Sequence, residues 1–189
     1  MSDPDKTTNS PFDPIFDSYL EHQFGAMDKI NAESDIVALR AEPREIPRRY
    51  IAQFRCTTIV RQDGKEPELS NGPIDIGINF SSTHLRKAPH PSMVFTLLRP
   101  LDLFHPNFLG SAICTTVRPG AGLNDMVFNL WSMLTFQRMR SGIRTEHPLN
   151  IDAATWCNRS LDQFPTDTRP LFRRVEPEAA IPAIEFSED

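Results

Sequence analysis

The chain has 189 residues, 39% of them hydrophobic and 24% charged, which fits one soluble-type domain with terminal extensions. A net charge of −5 gives no general reason to expect a nucleic-acid partner. No apolar run approaches the roughly 18 residues that a membrane span needs, and the opening MSDPDKTTNS lacks the apolar core of a signal peptide, so a cytoplasmic location and no membrane partner are expected.

Residues 1–11 are polar and contain proline, and read as a flexible start. Asp13-Pro14 then looks like an N-cap followed by proline at the first helical position, and Ile15, Phe16, Tyr19, Leu20, Phe24 and Met27 follow at helical spacing. A second helical stretch is predicted over 29–41, with Gly25 as an interruption between the two. Residues 50–61 alternate and are rich in β-branched side chains up to a turn at Asp63-Gly64. Ile74, Ile76, Ile78 and Phe80 alternate in a second strand, and 93–98 makes a third. No helix separates these strands, so an antiparallel meander of three or four is the economical arrangement.

Residues 100–122 have no clear period and form a long irregular stretch of the kind that often carries function. Leu123, Met126, Val127, Leu130, Trp131 and Leu134 mark an amphipathic helix, and Asn150 caps another that runs through Ala153, Ala154 and Cys157. The remainder, rich in proline and acid, is expected to be extended. Helix, strands, loop, then helices is the order of an α+β layered domain.

The cysteines are Cys56, Cys114 and Cys157, an odd number without CxxC spacing, so a disulfide framework or zinc site is not expected. Free cysteine is among the most buried residue types, and Cys56 in a strand and Cys157 on an apolar helix face read as packing. Cys114 sits in the irregular stretch, after His105-Pro106-Asn107 and Phe108-Leu109-Gly110-Ser111-Ala112-Ile113.

That segment resembles the signature of ubiquitin-conjugating enzymes: an HPN tripeptide, a glycine, then Ile-Cys. Upstream, Pro91-Ser92-Met93-Val94-Phe95 is similar to the family's turn into its fourth strand. Downstream, His147-Pro148-Leu149-Asn150 with Ala153-Ala154 is similar to its acidic-Pro-Leu-Asn loop and helix. The resemblance covers roughly 29–161, in order. It implies a UBC-like fold with an N-terminal extension and added helix over 1–28, a catalytic domain over 29–161 and a tail over 162–189. It implies an activity in which Cys114 accepts a ubiquitin-like protein from an activating enzyme as a thioester and passes it to an amine of a target protein. No cofactor of its own is implied, since ATP is consumed by the activating partner. Asn107 would stabilise an oxyanion or hold the loop, Glu146 and His147 are candidates to relieve the acceptor amine of its proton, and His105 and Pro106 would be structural. The region 29–41 would meet the activating enzyme.

Three departures stand out. Asn107 precedes Cys114 by seven residues where the family usually has eight, the tryptophan that commonly follows the cysteine is missing, and His147 occupies the acidic position, with Glu146 one residue before. These point toward a divergent relative, as in bacterial ubiquitin-like conjugation operons linked to antiviral defence. Two rivals stay open at this point: a non-catalytic adaptor of the same fold, and a cysteine hydrolase pairing Cys114 with His105 or His147.

Overall fold

A computed structural model describes residues 13–137 and 148–173. Helix α1 spans Pro14–Glu33, and the Asp13 carboxylate caps it by accepting from the Phe16 amide. Its buried face carries Phe16, Leu20, Gln23 and Ile30. One helix thus stands where the sequence suggests two, and the expected division at residue 28 falls inside it. Gly25 is exposed with open space around it, and the roughly 1 kcal/mol that glycine costs a helix does not outweigh the packed stripe on either side.

The helix ends at Ser34, whose hydroxyl accepts from the Ile36 and Val37 amides and donates to the Leu171 carbonyl. Residues beyond it form β1 (Val37–Ala41), correcting the expected second helix. The reason is periodicity: Val37 and Leu39 are buried while Ala38 and Arg40 are exposed, an alternation of two.

The four-stranded sheet is antiparallel throughout. It joins β1, β2 (Arg49–Phe54), β5 (Ile74–Asn79) and β6 (Phe95–Arg99) in that order, with Leu39 opposite Ala52, Tyr50 opposite Ile78 and Ile76 opposite Leu97. Residues 50–61 do not make one strand. The backbone of 55–57 is diverted, because the Thr57 amide donates to Asp167, the Thr57 carbonyl accepts from Thr166 and the Arg55 carbonyl accepts from Arg169. The chain resumes as β3 (Thr58–Val60), which pairs with β4 (Glu68–Ser70) in a separate hairpin. A single helical turn, α2 (Pro91–Val94), feeds β6 and takes the first residues of the strand expected over 93–98.

After β6, a two-stranded turn of β7 (Phe108–Leu109) and β8 (Ala112–Ile113) interrupts irregular backbone. Helix α3 (Leu123–Leu134) lays Leu123, Met126, Val127, Leu130 and Leu134 into a core shared with α1 and one face of the sheet. Helix α4 (Ile151–Arg159), capped by Asn150, covers a smaller cluster of Ile59, Phe104, Phe136, Ala153, Cys157 and Phe164. The first part of the expected loose tail is instead anchored: Phe164 and Leu171 are buried, and the Arg173 amide donates to the Glu33 carbonyl. The architecture is α+β. Among the described residues, no helix is long and apolar enough to cross a membrane.

Candidate active site

The approach to Cys114 is built on a buried histidine. His105 lies against the rings of Phe108 and Phe136, at 5.2 and 4.6 Å between centroids. Its Nδ1 accepts from the Asn107 amide at 2.9 Å, so the neutral ring carries its proton on Nε2. Burial pushes its pKa down to about 3, with the Met133 carbonyl opposing in part. A ring so placed anchors a bend. It is not available as a base, because the nitrogen that would take a proton is occupied and sealed from solvent.

Asn107 and Cys114 then clasp each other. The Cys114 amide donates to the Asn107 carbonyl at 2.8 Å, and Asn107 Nδ2 donates to the Cys114 carbonyl at 2.8 Å. Between them runs the β7–β8 turn, with Gly110 at φ 54, a left-handed conformation that glycine adopts without penalty. The Ser111 carbonyl ties this turn to the sheet by accepting from the Leu97 amide. Ile113 faces the core at the end of β8, and the alternation puts Cys114 outward.

Cys114 is exposed, while Cys56 and Cys157 are buried. Burial pushes both of the latter thiols up to about 12, with the Asp167 charge adding to the effect at Cys56, so they are packing residues that stay protonated. Of the three sulfurs, one is open to chemistry.

The fold also joins two segments that are distant in sequence. Asn150 donates its amide to the Pro106 carbonyl at 2.9 Å, placing Pro148-Leu149-Asn150 beside the His105-Pro106-Asn107 bend. The expected partners Glu146 and His147 lie outside the described residues. The site described therefore comprises Cys114, Asn107, His105, Pro106 and Asn150.

Downstream of Cys114, residues 115–121 border a cleft of about 860 Å³, whose other walls come from Phe95, Phe172 and the exposed face of α3 at Asn124, Asp125, Phe128 and Asn129. On the other side, a cleft of about 480 Å³ lies between Arg61, Asp102, Leu109 and Asn150. Neither encloses the thiol, which leaves it open to a macromolecular partner.

Four positioning side chains were not apparent in the sequence. Tyr19 Oη and His84 Nε2 both bond the Ala121 carbonyl, at 2.7 and 2.9 Å, and fix the end of the loop. Gln23 Oε1 accepts from the Leu123 amide at 2.8 Å and so caps α3 from another helix. Asn129 Nδ2 donates to Thr115 Oγ1 at 2.8 Å. Of the four, only Tyr19 was placed by the sequence, in the apolar stripe of α1, and its contact with Ala121 was not.

Among the described residues, no group of three or more His, Cys, Asp or Glu is disposed to hold a metal. Compared with models of protein families and with curated proteins, the chain matches none.

Proposed function

We propose that this protein is a ubiquitin-conjugating-like enzyme of UBC-like fold, carrying a ubiquitin-like protein as a thioester on Cys114. The observation that carries the reading is an exposed thiol clasped by Asn107, at a bend to which Asn150 brings the second resembling segment. An antiparallel four-stranded sheet, with α1 before it and helices after it, supports the same fold.

The Cys114 thiolate attacks the thioester carbonyl held by the activating enzyme. A new C–S bond forms, and the activating enzyme's cysteine leaves as its thiolate, so the exchange is near thermoneutral. A free cysteine with pKa about 8.5 is a few per cent thiolate at neutral pH and already strongly nucleophilic, so no adjacent base is required. In the second step the acceptor amine attacks the same carbonyl carbon, forming an amide and expelling the Cys114 thiolate. A lysine with pKa about 10.4 is neutral in only about one part in a thousand at physiological pH. Glu146 and His147 are proposed, by resemblance, to take its proton.

Asn107 holds the nucleophile in this account, since its side-chain amide is engaged by the Cys114 carbonyl. The cleft along residues 115–121 offers room for the segment leading to the carried acyl group. Activating enzyme, ubiquitin-like protein and target are the proposed partners. A cytoplasmic setting within a bacterial conjugation operon is the proposed context.

The test is incubation with ATP, an activating enzyme and its ubiquitin-like substrate. The reading expects a reductant-sensitive mass increase that is lost in Cys114→Ala. Tight binding of the ubiquitin-like protein without such an adduct would replace it with an adaptor. Cleavage of an isopeptide without any activating enzyme would replace it with a hydrolase.

A further inference from the structure

The Asn129 side chain makes no hydrogen bond within its own helix. It lies in the sixth-to-last position of α3, where asparagine is a poorer helix former than alanine, and it caps neither end. Its side chain reaches out of the helix to Thr115 Oγ1 at 2.8 Å. Thr115 follows Cys114 directly. One turn further along α3, Met133 presents Sδ to Asn107 Nδ2 at 3.9 Å. Residues 129 and 133 share a helix face, and that face meets both flanks of the nucleophile.

The flanks differ in what else holds them. Before Cys114, the β7–β8 turn and the Asn107 clasp fix the backbone. After it, residues 115–117 are outside any strand or helix. Among the described residues, their one hydrogen bond is that from Asn129, and buried Val117 is their one apolar anchor.

We infer that Asn129 is a positioning residue for Cys114, acting through the Thr115 hydroxyl. The inference rests on the reading of Cys114 as acyl carrier and assigns the segment after the cysteine its anchor. The rigid helix sets where Thr115 sits, and Thr115 limits how far the Cys114 backbone can turn when a bulky acyl group hangs from its sulfur. A misplacement of about 1 Å can cost about 100-fold in rate, so a single tie at this point matters.

The experiment compares Asn129→Ala, Thr115→Val, the double variant and Thr115→Ser in the full chain, each checked for an unchanged melting temperature. Single-turnover discharge of the Cys114 thioester to free lysine should slow about tenfold in both single variants, with the half-saturating lysine concentration unmoved. The double variant should be no slower than either single one, and Thr115→Ser, which keeps the acceptor, should match the original protein. Because Asn129 also borders the larger cleft, a role in touching the carried protein is the competing explanation. Thr115 borders the same cleft, so separate contacts of the two side chains with the carried protein would give losses that multiply in the double variant; that result would overturn the inference, as would Thr115→Val at the original rate.

Amide hydrogen exchange of residues 114–117 is read in parallel and needs no acyl group. Equal acceleration in Asn129→Ala and Thr115→Val supports the tie even if the starting protein forms no thioester, in which case the functional reading fails separately. Unchanged exchange in both overturns the tie.

Discussion

Asn107 gives one side-chain hydrogen to the Cys114 carbonyl and approaches Met133 Sδ with its amide nitrogen, so its role is readable from what Asn107→Ala does to stability. A side chain that holds the loop loses about 1 kcal/mol when removed, seen as a lower urea midpoint at unchanged m-value. One that only awaited a developing oxyanion would leave the midpoint in place while slowing discharge. The geometry predicts the first outcome, together with faster exchange of the Cys114 amide. At this scale the sequence was informative about chemistry and less so about contacts. The HPN tripeptide, Gly110 and Ile113 before the cysteine singled out Cys114, and Ile113 facing inward at the end of β8 explains why its neighbour faces water. The Asn107 clasp was not legible, because it depends on the turn at Gly110 folding the seven-residue interval back on itself. His105, expected as a loop anchor, is buried against two phenyl rings, a contact the sequence did not indicate.

At the scale of elements, α1 and α3 meet through Gln23, which is buried and accepts from the Leu123 amide. Gln23→Ala leaves that buried amide without a partner and should cost about 1–3 kcal/mol by denaturant unfolding. Gly122→Ala should act on the same bond, since a Cβ there would lie 2.8 Å from Gln23 Oε1 and dislodge it. Both variants remove one interaction, so their combined loss should fall short of the sum. Full additivity would mean that the cap is not what Gly122 protects. The stripe of α1 was visible in the sequence, but Gln23 was not singled out, since its partner lies 100 residues away on another helix. The division of α1 into two helices, and the joining of β2 and β3 into one strand, went astray for related reasons. Ser34 ends the helix through local bonds to its hydroxyl before the alternation of Val37 and Leu39 begins, and a glycine exposed on a packed helix interrupts nothing. The break at 55–57 depends on Asp167 and Arg169, which no local pattern connects to a strand more than 100 residues earlier.

The molecule as a whole should be sensitive to mild acid. His105 is held neutral with its pKa pushed down to about 3 by burial, and burial also lowers that of His84 against the opposing Ala121 carbonyl. In the unfolded chain both titrate near 6.5. Below that pH the unfolded state takes up a proton that native His105 refuses, so unfolding free energy falls as pH falls from 6.5 toward 3, by up to about 1.4 kcal/mol per pH unit, and His84 acts in the same direction. Urea titrations between pH 6.5 and 5 lie above the range where Asp167 changes the slope. The carboxylate of Asp167 gains from Arg169 and the Thr57 amide more than it loses by burial, and its contribution fades only at lower pH. His105→Gln should flatten the slope in that window by about one proton. A slope that stays the same would remove His105 from the buried anchor assigned to it.

The claim on which the account depends is that Cys114, and no other sulfur, takes up an acyl group from a thioester. Ubiquitin bearing a C-terminal glycyl thioester of a small thiol supplies that group without any activating enzyme, and intact-mass spectrometry with peptide mapping reads where it goes. The account predicts one added ubiquitin, located on Cys114, released by excess thiol, retained in Cys56→Ala and Cys157→Ala, and converted to a thiol-resistant ester in Cys114→Ser. An adduct on either buried cysteine, or a Cys114 that stays unmodified while a simple alkylating reagent reaches it, would contradict the account.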